Sequence, residues 1–381
     1  MNRSMLAVFL FFIAAHAGDN WKGEIKIIDG VTHVLNTTEP LNPKFTISLE
    51  KQVVLGDDIN AEEFVFEQII DGDADENGNI YLLDFTACHV LVFDKTGELI
   101  KTIGRKGQGP GEFTYPMSIS IVGPDTFFVA QANPNRFTFF NFQGEHIKDF
   151  TLVFTGTFTK ARLFSPGKLI YSKSEFSMKG EKSFMKLSLN TRDIGQENDA
   201  VFFETEKEMD FMRTKKVSQK STPTLLWTFD KSGSVYAVDD VFDYKIKVAD
   251  CAGEVFRLIV KKFSPVKKTK EEVEKEMKQF DEIQERMGVQ IDFDYETSPE
   301  KSIISTLLTD EKGRLWVITP EDAPKDGMAF DVFNSDGKFL NKIKIESMKP
   351  GNLFIKGNHL YSIYRDEDEL SKFARYKIIE K

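Results

Sequence analysis

Residues 73–113, DADENGNIYLLDFTACHVLVFDKTGELIKTIGRKGQGPGEF, decide the fold of this chain. Their apolar or mixed runs predict three short strands, at Ile80–Leu83, Val90–Phe93 and Glu98–Ile103. Asn77-Gly78 and Asp94–Gly97 are turn sequences, with glycine where a tight turn needs a positive φ. The first two runs are apolar throughout, so both faces of this small antiparallel sheet are expected to be buried between neighbouring sheets.

The turn followed by an apolar strand recurs along the chain. Counted from Gly78, the recurrences lie at Pro124, Gly167, Gly233, Gly313 and Gly357, and the steps are 46, 43, 66, 80 and 44 residues. Three steps fit the roughly 40–50 residues of one four-stranded propeller blade. The two longer steps predict a blade with an insertion, and the chain is therefore predicted to be an all-β, six-bladed β-propeller.

The two ends of the sequence predict how the ring closes. Leu49–Gly56 aligns with the outer strand Glu98–Gly104 of the first blade, but no blade precedes it. The last residues supply three strands only, at Asn352–Ile355, Leu360–Tyr364 and Phe373–Ile379. The N-terminal outer strand is expected to complete the sixth blade, which removes the open sheet edges that promote aggregation.

These motifs resemble the NHL-type six-bladed β-propeller family, and more closely the secreted bacterial propellers of that superfamily. The resemblance covers about residues 41–381 and is carried by the Asp-x-x-Gly strand signature, the hairpin Val92–Gly97 and the glycine-rich Gly107–Phe113. Where NHL repeats place Asn-x-Arg before the third strand, this chain has Ala87-Cys88-His89. The ligand rules of better-known relatives therefore do not transfer.

The N-terminal residues predict export. Residues 1–17 match a secretory signal, with Arg3, an apolar Met5–Ala15 and the small-x-small site Ala15-His16-Ala17. The apolar core is too short for an ordinary transmembrane helix, and no cysteine follows it to carry a lipid. The mature protein is expected in the periplasm or outside the cell, not as a lipoprotein, with a hairpin extension at 18–40 and the propeller at 41–381.

An amphipathic helix is predicted inside the propeller, within the insertion at 265–299 between blades four and five. Thr269 and Glu272 form a capping box at its start, and one apolar stripe runs along it through Val273, Met277, Phe280, Ile283 and Met287. The helix is expected to narrow access to the channel from the crossover face, or else to pack outside the ring or form a dimer contact. A second insertion is predicted at about 190–219.

Composition limits the partners. With 60 acidic and 50 basic residues the net charge is −10, which argues against nucleic acid. The 35 phenylalanines are expected to pack between blades. Cys88 and Cys251 fall on opposite blades, too far apart for the 4.4–6.8 Å Cα separation of a disulfide, so both are predicted to be free.

Known enzyme signatures are absent from the sequence, including Gly-x-Ser-x-Gly, His-Glu-x-x-His and the Walker loop. The crossovers and the loops between each blade's second and third strands open on one face, where we expect a ligand. The candidate ligand-binding residues are Asp84, His89, Arg105, Arg136, Asp240, Tyr244, Asp322 and Arg365. Carboxylates dominate these loops, so calcium is an open alternative to solvated loop charge.

Two functions remain. The first is a binding or interaction module of the cell envelope that recognises a peptide, a glycan or a protein at the mouth of the channel. The second, implied by the resemblance, is a calcium-dependent hydrolase or lyase of the six-bladed type. The lack of a clear catalytic set of His, Glu and Asp residues favours the first, and no catalytic residue is assigned.

Overall fold

Six antiparallel sheets follow one another along the chain and form the blades of a β-propeller, which confirms the predicted fold. The computed structural model describes residues 20–56, 66–152, 156–196, 198–209, 216–218, 220, 222–287 and 294–381. The signal segment predicted at residues 1–17 lies outside the described residues.

The strands are numbered in chain order. Three precede the first complete sheet, namely β1 (Glu24–Ile28), β2 (Val31–Asn36) and β3 (Ile47–Leu55). Blade one contains β4 (Ile69–Ala74), β5 (Ile80–Asp84), β6 (His89–Phe93) and β7 (Leu99–Ile103). Blade two contains β8 (Pro116–Ile121), β9 (Thr126–Gln131), β10 (Arg136–Asn141) and β11 (His146–Thr151). The predicted strands of the first blade are thus present within a residue or two.

The remaining blades follow the same order from the innermost strand outward. Blade three contains β12 (Thr157–Ser165), β13 (Lys168–Lys179), β14 (Lys182–Asp193) and β15 (Ala200–Glu208), and is followed by β16 (Lys216–Ser218). Blade four contains β17 (Leu226–Phe229), β18 (Val235–Val238), β19 (Lys245–Ala249) and β20 (Val255–Lys261).

The insertion between blades four and five holds α1 (Lys270–Met287) and β21 (Asp294–Glu296). Blade five contains β22 (Thr306–Thr309), β23 (Leu315–Thr319), β24 (Gly327–Phe333) and β25 (Phe339–Glu346). Blade six contains β26 (Gly351–Lys356), β27 (His359–Arg365) and β28 (Ser371–Glu380), completed by β3.

Closure of the ring occurs as the sequence predicts. β28 pairs with β3 in antiparallel register, from Phe373 opposite Leu55 to Glu380 opposite Ile47. The pairing gives the sixth blade its outer strand from the N-terminal side of the chain. The backbones of Thr46 and Lys381 also exchange hydrogen bonds beyond the end of the pairing.

A bidentate Asx turn explains the sequence repeat. In the turn after β4, Oδ1 of Asp75 accepts hydrogen bonds from the backbone N–H groups of Asn77 and Asn79, each at 2.9 Å. Gly78 between them has φ +85°, a conformation in which residues with a Cβ atom are strained. The same pair of bonds is made by Asp94, Asp230, Asp250, Asp310, Asn334 and Asp366, and Asn141 accepts the second of the two, from the Glu145 amide. The motif is therefore set by backbone hydrogen bonding.

Aromatic side chains fill the wedges between blades, as predicted. Between blades one and two, the rings of Phe127 and Phe140 stack with centroids 5.3 Å apart, and Tyr81 packs against Phe127 at the same distance. These side chains are at most 2% exposed. Each contributes roughly 1.5–3 kcal/mol through burial, so these contacts help to hold adjacent blades together.

The N-terminal segment links three blades on the outside of the ring. β1 and β2 form a hairpin whose second strand pairs in parallel with β20, which extends blade four to six strands. The following residues, 37–46, run along blade five, where the Leu41 amide donates to the carbonyl of Phe339 at 2.8 Å. We call residues 36–46 the strap. At its start, Asn36 is buried and accepts a 2.8 Å hydrogen bond from the Phe339 amide.

Blade three corrects one expectation. Residues 190–208 are not an insertion, because β14 runs to Asp193 and β15 is the outer strand of the blade. Its two central strands are 12 residues long, and their outer halves are polar and partly exposed, which hides the strand pattern in the sequence. The predicted free thiols are confirmed, with Cys88 buried and Cys251 exposed.

The predicted helix is present and starts as expected. The hydroxyl of Thr269 accepts from the Glu272 amide at 3.2 Å, and the Glu272 carboxylate accepts from the Thr269 amide at 2.8 Å. Of the apolar stripe, Phe280 stacks on Tyr295 with ring centroids 4.5 Å apart. Met277 stays 39% exposed, and the side chains of Ile283 and Met287 lie outside the described part of the chain.

Candidate functional site: the central channel

The innermost strands of all six blades surround a cavity of about 440 Å³ on the axis of the ring. We call the channel end at the turns between each blade's first and second strands the hairpin mouth, and the opposite end the crossover mouth. Aromatic and aliphatic side chains make up much of the wall, including Phe164, Trp227, Phe229, Leu307 and Phe354. The cavity reaches the turn residues Lys231 and Glu311, so it opens at the hairpin mouth.

A buried ion pair crosses the channel at this cavity, and its arginine is part of the cavity wall. Asp71 on β4 receives two hydrogen bonds from the guanidinium of Arg162 on β12, at 2.7 and 2.8 Å. The same carboxylate accepts from the Ile119 amide at 3.0 Å and from the Asn352 side chain at 3.3 Å. Four inner strands are therefore joined at one carboxylate, because these residues lie on β4, β12, β8 and β26.

A second ion pair lies nearer the hairpin mouth. Asp73 accepts from the ammonium of Lys356 and from the Ile121 amide, each at 2.8 Å. At the rim, Lys231 pairs with Glu311, and Asp310 holds Arg314 at 2.6 Å. The carboxylates of this mouth are thus engaged by cations or by turn amides.

Lys160 differs from the other cations that border the cavity. Its ammonium group lies 5.0 Å from the centroid of the Trp227 ring, and its nearest charged neighbours include Arg162 and Asp71. Within the described residues, no carboxylate comes within 4 Å of it. Burial, reinforced by the positive charge of Arg162, lowers the pKa of Lys160 to about 8. The side chain is still partly open, and the space it meets is the cavity itself.

The crossover mouth has its own cavity, of about 630 Å³, between α1 and the ring. Lys275 and Gln279 of α1 face the crossover residues Gly351 and Asn352 across it. The start of the helix is held from two sides. Lys301, on the segment that returns to blade five, pairs with Glu272, and Lys268, just before the helix, pairs with Glu276. α1 therefore lies over the crossover mouth.

The sequence-predicted candidates lie on the crossover side, as their loops require. Asp84 is fully buried, and its carboxylate accepts backbone hydrogen bonds from Glu67, Gln68, Thr86 and Ala87 at 2.9 to 3.2 Å. It holds the entry of blade one against the loop that follows β5.

Two further candidates stabilise the crossover between blades one and two. The Arg136 guanidinium donates to the carbonyl of Glu112 at 2.6 Å. Arg105 is largely exposed and pairs with the Glu112 carboxylate at 2.8 Å. Both side chains contact Glu112 of this crossover, and neither borders the central cavity.

Tyr244 belongs to a buried ionic network between blades four and five. Its hydroxyl donates to Asp331 at 2.8 Å, and burial beside that carboxylate raises the pKa of Tyr244 well above its ordinary value. Lys261 lies 3.3 Å from Asp331 and 3.5 Å from Glu321, and Lys342 pairs with Glu321 at 2.8 Å. Although burial opposes ionisation of Glu321, the two lysines together hold its pKa below the usual range.

The other candidates are dispersed. Asp322 is exposed, 3.6 Å from Lys342, and Asp240 accepts from the Phe242 amide at 2.9 Å in an exposed turn. The Nε2 of His89 is buried without a hydrogen-bond partner among the described residues. Arg365 borders the cavity under α1. Among the described residues that border the central cavity, none is one of the eight candidates.

Sequence reasoning missed the channel side chains, although a signal was present. Asp71 and Asp73 precede the turn residue Asp75 by four and two positions, which places them on the innermost strand. Lys160 and Arg162 show the same two-residue spacing on β12. Charged residues that alternate on an innermost strand point to the channel more directly than charged residues in loops.

The described residues do not fit a metal site. Among them, no group of three or more His, Cys, Asp or Glu side chains is arranged to hold an ion. The carboxylates near the channel are instead occupied by arginine, lysine and backbone amides.

Comparison with known proteins agrees with the architecture. Residues 63–249 match the model of the DUF5128 family, described as a 6-bladed beta-propeller. The chain is a six-bladed propeller. No curated protein sequence matches it. Among the described residues, no helix has the length and apolar character needed to span a membrane.

Solved propellers resemble the chain along most of its length. A Bacteroides fragilis protein inferred to be exported is 14% identical, with a TM-score of 0.51, and the match covers 91% of this propeller and 99% of that chain. A member of the DUF4221 family from Bacteroides vulgatus is 12% identical, with a TM-score of 0.50 and coverage of 88% and 99%. At these identities the likeness concerns the fold alone.

Proposed function

We propose that this propeller is an exported binding module that takes a small ligand, or the end of a peptide or glycan, into the central channel through the hairpin mouth. The observation that carries the proposal is the cavity bounded by the inner strands of all six blades. Its volume of about 440 Å³ lies in the range typical of small-molecule sites. The wall combines apolar side chains with charged and polar groups fixed on rigid strands, a combination suited to binding.

Export and family type belong to the same proposal. The signal-like residues 1–17 and the likeness to an inferred exported propeller support a location in the periplasm or outside the cell. The repeated Asx turn supports an NHL type of repeat. Expression of the whole chain in a bacterium, followed by mass spectrometry of the exported product, tests the location. We expect a mature N-terminus near Gly18, and a product that keeps Met1 would contradict it.

The alternative of a calcium-dependent hydrolase or lyase gains no support from the described residues, because they offer no cluster of metal ligands. Binding without chemistry requires only the cavity and its polar wall. We therefore prefer the binding module to the enzyme.

Calorimetric titration with 2-naphthamide, an uncharged aromatic probe, tests whether the channel binds ligands. Thr228 borders the cavity, so Thr228→Trp should fill it and abolish binding of the probe. Thr151→Trp, on the exposed end of β11, is the matched control and should leave binding unchanged. Equal binding by both variants would show that the probe binds elsewhere and would overturn the proposal.

A further inference from the structure

The central cavity contains one cation without a matching carboxylate among the described residues. Lys160 borders the cavity on β12, with its ammonium group over the Trp227 ring. Arg162 is satisfied by Asp71, Lys356 by Asp73, and Lys231 by Glu311. Among the described residues of this wall, Lys160 is therefore the cation that is left for a ligand.

The position of Lys160 makes this unpaired charge costly. β12 begins at the crossover end, so Lys160 lies at the deep end of the cavity, away from the rim carboxylates Asp310 and Glu311. A buried charge is normally paired, because water no longer solvates it. The lowered pKa of this lysine has the same origin. A negatively charged group beside the ammonium would offset the cost.

The surroundings of Lys160 also define the rest of the ligand. The Trp227 ring lies directly beneath the ammonium, and Phe164 and Phe229 contact each other edge to face at 5.4 Å on the same wall. A flat apolar body fits against these rings, while the cavity volume admits only a small molecule or a chain end.

We propose, on the basis of the proposed function, that the ligand is a small organic anion, whose charged group pairs with Lys160 while its apolar body packs on Trp227. A carboxylate is the simplest such group, since it accepts charge-assisted hydrogen bonds from an ammonium. The neighbouring guanidinium of Arg162 adds positive potential without giving up its bond to Asp71.

Calorimetric titration at pH 7 with two nearly isosteric probes tests this inference. We expect 2-naphthoate, which carries a carboxylate, to bind at least about tenfold more tightly than 2-naphthamide, because a hydrogen bond to a charged group is worth roughly 1.5–3 kcal/mol. Lys160→Met should remove this preference, and Lys160→Arg should retain it. Lys148→Met is the matched control, since Lys148 also lies over a ring, that of Phe139 at 5.1 Å, but on the outer strand β11.

The outcomes separate the two proposals. If wild-type protein binds both probes equally and Thr228→Trp abolishes both, the channel binds ligands but the anion inference is wrong. If the carboxylate preference persists in both Lys160→Met and Lys160→Gln, another group supplies it and the assignment to Lys160 is overturned. If neither probe binds the wild-type protein, both proposals fail.

Discussion

The two mouths of the channel are ends of the same six inner strands, but they are built on different principles. Turns at the hairpin mouth repeat one Asx motif, with a carboxylate or amide that holds two amides and a glycine at positive φ, as at Asp75 and Asp310. At the crossover mouth the connections differ in length and sequence, and α1 covers part of the opening. The regular mouth leads to the central cavity. Repetition in this chain therefore fixes the frame, and under the proposed function the side chains of the inner strands determine which ligand enters the channel.

The largest effect is expected at the buried ion pair Asp71–Arg162, between the two mouths. Asp71→Ala would leave Arg162 buried without its carboxylate, and breaking such a pair costs about 3–5 kcal/mol of unfolding free energy. Asp73→Ala is the control nearer the hairpin mouth, where Lys356 is about one-third exposed and can be solvated. Urea unfolding measures both. Equal losses of unfolding free energy would show that the pair Asp71–Arg162 is no better shielded from water than the pair Asp73–Lys356.

Removal of the Lys160 charge, which has no carboxylate partner among the described residues, should instead raise the free energy of unfolding. Burial lowers the pKa of Lys160 to about 8 in the folded state, below the ordinary 10.5 of the unfolded chain. Below pH 8 both states are protonated, and the folded protein bears the full cost of the buried charge. Between pH 8 and 10.5 the unfolded state binds more protons, so stability rises with pH.

Lys160→Met should therefore be more stable than the wild type at pH 7, by no more than about 3 kcal/mol. The advantage should disappear by about pH 10.5. Urea unfolding of both proteins from pH 7 to 10.5 gives the difference directly, and common effects of tyrosine ionisation cancel in it. A difference that is constant with pH would mean that Lys160 keeps its ordinary pKa.

The same Asx turn can be compared at both mouths. Asp310, at the hairpin mouth, also holds Arg314 and the Trp316 indole in a buried setting, at 2.6 and 2.9 Å. Asp310→Ala should cost about 2–4 kcal/mol, since buried donors lose their acceptor. Asp366→Ala, at the crossover mouth, exposes its turn amides to water and removes the 3.2 Å ion pair with Lys372, whose ammonium keeps the carbonyl of Gly56, so it should cost less, about 1–2 kcal/mol. Thermal and urea unfolding that rank the two variants in the reverse order would contradict the view that the hairpin mouth is the more rigid.

The smallest effect is expected at the cover of the crossover mouth. Replacement of residues 265–299 by a Gly/Ser linker should leave a folded propeller with unchanged affinity for 2-naphthamide, because the probe enters from the other end. Stopped-flow association rates give the sharper test. Faster association after the replacement would show that the route to the cavity passes under α1, and that the helix acts as a lid.

The sequence was most informative where the backbone determines the residue type. The Asp-x-x-Gly turn needs a hydrogen-bond acceptor at one position and a positive φ at another, so the same residue types recur in the sequence at each blade. This repeat predicts the blades, and the alignment of strands with it predicts the closure by β3. The prediction of strands failed in blade three, where long, partly exposed strands lack a continuous apolar pattern.

The channel could not be predicted in the same way. The partners Asp71 and Arg162 are 91 positions apart, and only the closed ring brings them within 2.7 Å. Two of the loop residues chosen from the sequence have a role within their own loops. Asp84 and Arg136 complete the hydrogen bonding of their own loops. Charge in a loop predicts the loop's structure better than it predicts a ligand.

The strap has a consequence for the order in which the protein assembles. It joins the N-terminal residues to blades four, five and six, as when Asn36 binds the Phe339 amide 303 positions later. Such contacts close very long loops, and contacts of large sequence separation slow folding. During synthesis the first residues must wait without partners until the last blades have emerged. Blades one to three can form early from local hairpins, whereas the second half and the beginning of the chain are expected to fold together, in one late step that also seals the ring.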